Sequence, residues 1–321
     1  MPDSAAMTAV ETRTNYQRLL DMARQEPAIR TAVVHPCDDV SLQGAIEARR
    51  LGLIEPILVG PAERIRRLAE KDGFDVSDIE IVNALHSHDS AAKGVQLVRA
   101  GRAEALMKGS LHTDELMDAV VSHESGIRTA RRISHCFIMD VPGHEDALVI
   151  TDAAVNIAPT LDDKVDIVQN AIDLAHALHA PEVRVAILSA METVTSKVPS
   201  TIEAAALCKM AERGQITGAF LDGPLALDNA ISPQAAAIKH ISSRVAGRAN
   251  VLVVPDLEAG NMLAKSLSFL AHADAAGIVL GARVPIMLTS RADSLPARLA
   301  SCAVAVMLAA ARRKSVAASI S

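Results

Sequence analysis

Short apolar runs alternating with helix-period segments limit this 321-residue chain more than any other feature. Thr31–His35, Pro56–Gly60, Ile79–Val82 and Ala103–Lys108 read as strands. Helical patterns cover roughly Gly44–Leu51, Ala62–Lys71, Ser90–Arg99 and Thr113–Val121, after an opening amphipathic helix marked by Tyr16, Leu19, Leu20 and Ala23. Strands Ile133–Met139 and Ala147–Thr151 lead into a second alternating region. Its helices are Lys164–Leu178, Thr201–Glu212, Gln234–His240 and Gly260–Leu270, and its strands Val183–Ser189, Gly218–Leu221, Val251–Val254 and Ala276–Leu280. Strands separated by helices need crossover connections, so the pattern predicts an α/β fold with mainly parallel sheet. No Gly-x-Gly-x-x-Gly follows the first strand and no P-loop motif occurs, so neither nucleotide fingerprint is present.

Composition removes other classes. Half the residues are hydrophobic and 22% are charged, which suits a compact core at this length. There is no Trp, one Tyr and four Phe, and the net charge is −6. Nucleic-acid surfaces need aromatic platforms and a basic face, so no nucleic-acid partner is expected. No apolar run reaches the ~18–20 residues of a membrane span, Ala303–Ala311 being too short. No membrane partner is expected, and with no signal-peptide pattern at the N-terminus a cytoplasmic protein is expected. The four cysteines (Cys37, Cys136, Cys208, Cys302) and eleven histidines show neither metal-ligand spacing nor a disulfide framework, so no metal is expected.

The stretch Gly281–Arg298 carries the densest chemistry. An apolar strand, Pro285–Leu288, ends in Thr289-Ser290-Arg291-Ala292-Asp293-Ser294, and a helix over roughly Leu295–Arg312 follows. A hydroxyl, a guanidinium and a carboxylate thus stand where a strand meets a helix N-terminus, a place that favours anions. A plain Ser/Asp helix cap with a surface Arg fits the same spacing.

The strand-Ser-Arg unit resembles the phosphate acetyltransferase and phosphate butyryltransferase family. So do Phe220–Asp228, Ala249–Asn261 with Lys265, and Leu106–Gly109, in the same order and spacing. The resemblance covers nearly the whole chain from about His35. It implies two α/β domains with mainly parallel sheets and an interdomain cleft, similar to the isocitrate/isopropylmalate dehydrogenase-like fold. Residues 1–140 plus 283–321 would form the first domain, carrying the Ser-Arg motif, and 141–282 the second. It also implies reversible transfer of a short acyl group, acetyl or butyryl, between coenzyme A and inorganic phosphate in a ternary complex. Acyl-CoA, phosphate and acyl phosphate are then the substrates, with no permanently bound cofactor, and a homodimer is expected.

Such chemistry needs donors for a developing oxyanion and cations for phosphate. The catalytic set is therefore Ser290 as hydrogen-bond donor, Arg291 as planar fork and Asp293 as the nearest carboxylate. Lys108, Gly109, Thr113, Asp222, Asp228, Asn261, Lys265 and Arg283 form the substrate-binding set. Each has a plainer reading: a solvated strand-end Lys, loop-bracing carboxylates, a helix cap, a surface Arg. The chain departs from the acetyltransferase pattern twice. Ala297 stands where that branch has an Asp that takes the thiol proton, and Leu116–Ala119 lacks its phosphate-binding Arg. Two alternatives stay open: a metal- and NAD-dependent hydroxy-acid dehydrogenase of the isocitrate/isopropylmalate type, which needs a carboxylate cluster, and a non-catalytic acyl-CoA-binding homologue.

Overall fold

Alternating apolar segments become strands and helices in a computed structural model that describes residues 14–289 and 293–320. The first half comprises α1 (Asn15–Ala23), β1 (Ile29–Val34), α2 (Asp39–Arg50), β2 (Ile54–Gly60), α3 (Ala62–Asp72) and β3 (Ile81–Asn83). Then come α4 (Ser87–Arg99), β4 (Ala105–Lys108), α5 (Thr113–Val121), β5 (Ser134–Asp140) and β6 (Leu148–Thr151). The second half comprises α6 (Leu161–Ala177), β7 (Arg184–Leu188), α7 (Pro199–Glu212), β8 (Phe220–Leu225), α8 (Leu227–Ile231) and α9 (Pro233–Ile238). It closes with β9 (Val251–Val253), α10 (Leu257–Leu270), β10 (Asp274–Leu280), β11 (Ile286–Met287) and α11 (Leu295–Ile320).

The described strands form one sheet in the order β3-β2-β1-β4-β11-β10-β5-β6-β9-β7-β8. Two parallel blocks, β3 to β11 and β6 to β8, flank β10 and β5, which pair antiparallel with each other and with their outer neighbours. The blocks therefore run in opposite directions. Short turns make this possible: antiparallel neighbours need no crossover, and Val141–Glu145 joins β5 directly to β6. Gly281, at φ 85°, turns β10 toward β11, and a Cβ there would sit 2.3 Å from the Arg132 carbonyl oxygen.

The two faces are covered differently. On one, a single apolar cluster runs through α1, α2, α3, α6, α7 and α11. On the other there are two clusters, one under α4 and α5, the other under α8, α9 and α10. The middle strands lie at the split. Helix α11 is apolar on nearly every side, as a fully buried helix must be. Its segment Leu295–Ser315 is long and apolar enough to cross a membrane by length and composition, which the shorter helix expected over Leu295–Arg312 did not suggest. Yet 72% of its best window is buried against the sheet and its neighbours, so core packing accounts for its composition.

Candidate active site

In parallel strands the carboxyl ends meet on one edge, and here β1, β4 and β11 bring three loops together. The loop after β4 is bonded to the loop after β1. Gly109 N–H donates to the Val34 carbonyl at 2.8 Å and Ser110 N–H to the His35 carbonyl at 2.9 Å. Ser110 Oγ also donates to the His35 carbonyl (2.9 Å) and accepts from Cys37 N–H (3.3 Å). The approach is so close that a Cβ on Gly109 would lie 2.4 Å from the Val34 oxygen and 2.5 Å from the His35 oxygen. Only glycine fits. Cys37 is buried there, and burial pushes its thiol up to about 11, which leaves it protonated and inert.

Lys108 is 5% exposed, so it is no solvated strand-end residue. Leu106 of the same strand faces the split side, and alternation puts Lys108 on that face too. Helix α5 starts at Thr113, which is exposed, and its first turn is anchored by Glu115. That carboxylate accepts from the His112 N–H at 2.9 Å and from Ser87 Oγ, at the start of α4, at 2.8 Å. Burial opposes its ionisation, but the Ser87 and His112 bonds and the nearby His88 outweigh burial and lower its pKa.

At the end of β11, Thr289 is 3% exposed and its Oγ1 accepts from Arg298 Nη1 at 2.9 Å. Burial lowers the pKa of the Arg298 guanidinium, and the negative charges of Asp293 and Asp38 act in the other direction. Asp293 is half-buried. Ser290 and Arg291 lie outside the described residues. Ala297 lines an apolar cavity of about 290 Å³ on the opposite face of the sheet, together with Tyr16, Ile138, Val149 and Leu178. That cavity lies away from the side Lys108 faces.

The structure thus brings Lys108, Gly109, Thr113 and Asp293 to one edge, with Thr289 and Arg298 as partners absent from the sequence-derived set. The other positions lie elsewhere. Asp222 is inside edge strand β8 and not after it, its carboxylate accepting from Gly223 N–H at 2.8 Å. Asp228 is exposed in the first turn of α8. Arg283 is exposed at the amino end of β11, opposite Thr289 along the strand, and its N–H donates to the Ile127 carbonyl. Asn261 donates to the Ala153 carbonyl at 3.2 Å, and Lys265 is exposed one turn along α10, on the far bank of the split. Arg298 follows the inward period of α11, which is the signal that could have found it: Arg298, Ser301, Cys302 and Ala305 are all buried.

Among the described residues, no three His, Cys, Asp or Glu side chains cluster as metal ligands. The dehydrogenase reading needed such a cluster, and the buried carboxylate of Asp152 instead accepts from the N–H groups of Ala154, Val155 and Asn156. A family model described as "Phosphate acetyl/butaryl transferase" matches residues 61–306. The chain belongs to the phosphate acetyl/butyryl transferase family. A phosphate acetyltransferase of Rhizobium meliloti is 65% identical over 307 residues, 96% of this chain and 97% of that one. A phosphate butyryltransferase of Clostridium beijerinckii is 38% identical over 92% of this chain and 98% of its own length. The crystal structure of a phosphotransacetylase from Streptococcus pyogenes superposes with a TM-score of 0.80 at 26% identity, covering 91% of this chain and 98% of that one.

Proposed function

We propose that this enzyme transfers a short acyl group, acetyl by preference, reversibly between coenzyme A and inorganic phosphate. The observation that carries the reading is the meeting of the buried cation Lys108 with the end of β11, which leads into Ser290 and Arg291, in a member of this family. The 65% likeness to a phosphate acetyltransferase favours acetyl over butyryl. In the proposed ternary complex a phosphate oxygen bonds to the thioester carbonyl carbon and the carbon–sulfur bond breaks. The proton of hydrogen phosphate passes to the departing thiolate. Lys108 supplies point charge for the phosphate, Arg291 a two-pronged contact, and Ser290 a donor for the oxyanion.

The cleft in this reading is the split between the two apolar clusters, with residues 1–140 plus 283–321 on one side and 141–282 on the other. That is the two-domain arrangement of the isocitrate/isopropylmalate dehydrogenase-like fold. Coenzyme A acts as substrate and not as a resident cofactor, and the enzyme works as a cytoplasmic homodimer. Holding both reactants in line supplies much of the acceleration, because orientation alone is worth several kcal/mol.

The test is to incubate the purified protein with acetyl-CoA and follow free thiol, with and without phosphate. Phosphate-dependent thiol release, together with acyl phosphate in the products, is the expected result. Acyl-CoA binding without turnover, or NAD reduction by a hydroxy acid, would overturn it.

A further inference from the structure

One row of side chains crosses the sheet at the split. Leu106 of β4 pairs with Ile286 of β11, and Val279 of β10 pairs with both Ile286 and His135 of β5. All four lie on the split face, two residues along each strand from the row itself. One alternation further, Lys108, Leu288, Gly277 and Phe137 follow in line on that same face, with Gly277 paired to Phe137. Leu288 and Phe137 are half-buried, and each packs at the margin of a different cluster, Leu288 on the α4/α5 side and Phe137 on the α8/α10 side.

Gly277 contributes no side chain, and the His135 imidazole leans over it. A Cβ there would sit 3.1 Å from His135 Nε2 and 3.1 Å from the Leu288 carbonyl oxygen. His135 meets the Phe137 ring edge to face at 4.4 Å between centroids. It is 1% exposed, and among the described residues its Nδ1 has no hydrogen-bond partner. Burial holds its pKa down at about 4, so the ring is neutral at physiological pH. The row therefore grades from a buried cation at Lys108 to an uncharged, largely apolar floor from Leu288 to Phe137.

We infer that Leu288, His135 and Phe137 form the floor that receives the acyl chain, and that Phe137 limits its length. The inference rests on the acyltransferase reading and deepens it. A phosphate dianion is drawn to the Lys108 end, because the rest of the floor presents no cation to it. The thioester carbonyl then lies near Leu288, beside the phosphate, and its alkyl tail points along the row. Adjacent strands are ~4.8 Å apart, so each strand crossed admits roughly the length of a few methylenes before the His135 and Phe137 rings stop the chain.

The experiment measures kcat/KM for acetyl-, butyryl- and hexanoyl-CoA with saturating phosphate, in wild type and Phe137→Ala. The butyryl-to-acetyl ratio is expected to rise about tenfold or more, since one methylene in an apolar pocket is worth roughly 10–200-fold. KM for phosphate, measured with acetyl-CoA, is expected to stay close to wild type. Phe137→Leu, which keeps an apolar side chain in the core, is expected to shift the ratio the same way by less, and it carries the test if the alanine variant does not fold. An unchanged ratio in a folded variant of an active enzyme overturns the acyl floor alone. A wild-type protein that releases no thiol with phosphate from any of the three substrates overturns the acyltransferase reading, and the floor with it.

Discussion

Arg298, near the start of α11, donates to Thr289 Oγ1 at 2.9 Å, and each residue is only 3% exposed. The bond ties the last helix to the end of β11, immediately before Ser290. Helix α2 closes over it from the side, for a Cβ on Gly44 would lie 3.2 Å from Arg298 Cδ. Replacing Thr289 by Val takes an acceptor from a buried guanidinium without changing shape, a loss of about 1–3 kcal/mol. Thr289→Ser keeps the hydroxyl. Urea melts of the two variants should therefore separate, with valine the less stable, and valine should also lower kcat by loosening the residue next to Ser290. Equal midpoints and equal rates for Val and Ser would show that the bond holds nothing.

Ser290→Ala is expected to lower kcat more than it raises KM, because the hydroxyl is assigned to charge that develops only in the transition state. An oxyanion donor of this kind is worth about 10²–10³ in kcat. Arg291→Lys is expected to damage activity too, since a point charge cannot reproduce a planar fork. Steady-state kinetics with both substrates varied will decide. Unchanged kcat in the alanine variant removes Ser290 from the mechanism, and full activity in the lysine variant makes Arg291 peripheral.

The first half of the chain was legible because its strands and helices each carry a local period. The helix expected over Thr113–Val121 stands at those residues, and β1 differs from the expected strand by two residues at its start and one at its end. Strand direction was not legible. The sequence of β10 looks like any parallel strand, and only pairing with β11 and β5 reverses it. Asp222 was expected beyond a strand that ends at Leu221. At the sheet edge, where one side of β8 has no neighbour among the described strands, a missing N–H is tolerated and the strand runs on to Leu225. Lys108-Gly109 could be found from local sequence. His135 over Gly277 and Arg298 on Thr289 could not, because those contacts join residues distant in the chain or on different elements.

Gly109→Ala tests the crossing of the β1 and β4 loops. The added Cβ would meet two backbone carbonyl oxygens at 2.4 and 2.5 Å, and backbone cannot swing aside as a side chain can. Overpacking of this kind costs about 1–3 kcal/mol or more. The displacement would also move Lys108, so activity is expected to fall further than stability. Thermal melting and kcat/KM for phosphate measure the two. A variant that melts like wild type and keeps its phosphate dependence would mean that the loops separate without consequence for the site.

His135 makes a prediction about acid. Burial depresses its pKa from an ordinary 6.5 to about 4, with the Asp152 charge opposing the shift. Between those values the unfolded chain binds a proton that the folded protein refuses. Stability is then full above pH 6.5 and falls as pH drops toward 4, by about 1.4 kcal/mol per pH unit from this one group. His135→Gln keeps a polar side chain of similar size but cannot take up the proton. Urea midpoints of both proteins, measured from pH 7 to pH 4.5, should converge as acid is added, because wild type carries the extra loss. All other titrating groups are common to both proteins and cancel in the difference. Parallel curves across that range would mean that the imidazole is solvated or already charged in the folded state, and that the floor at Gly277 is not dry.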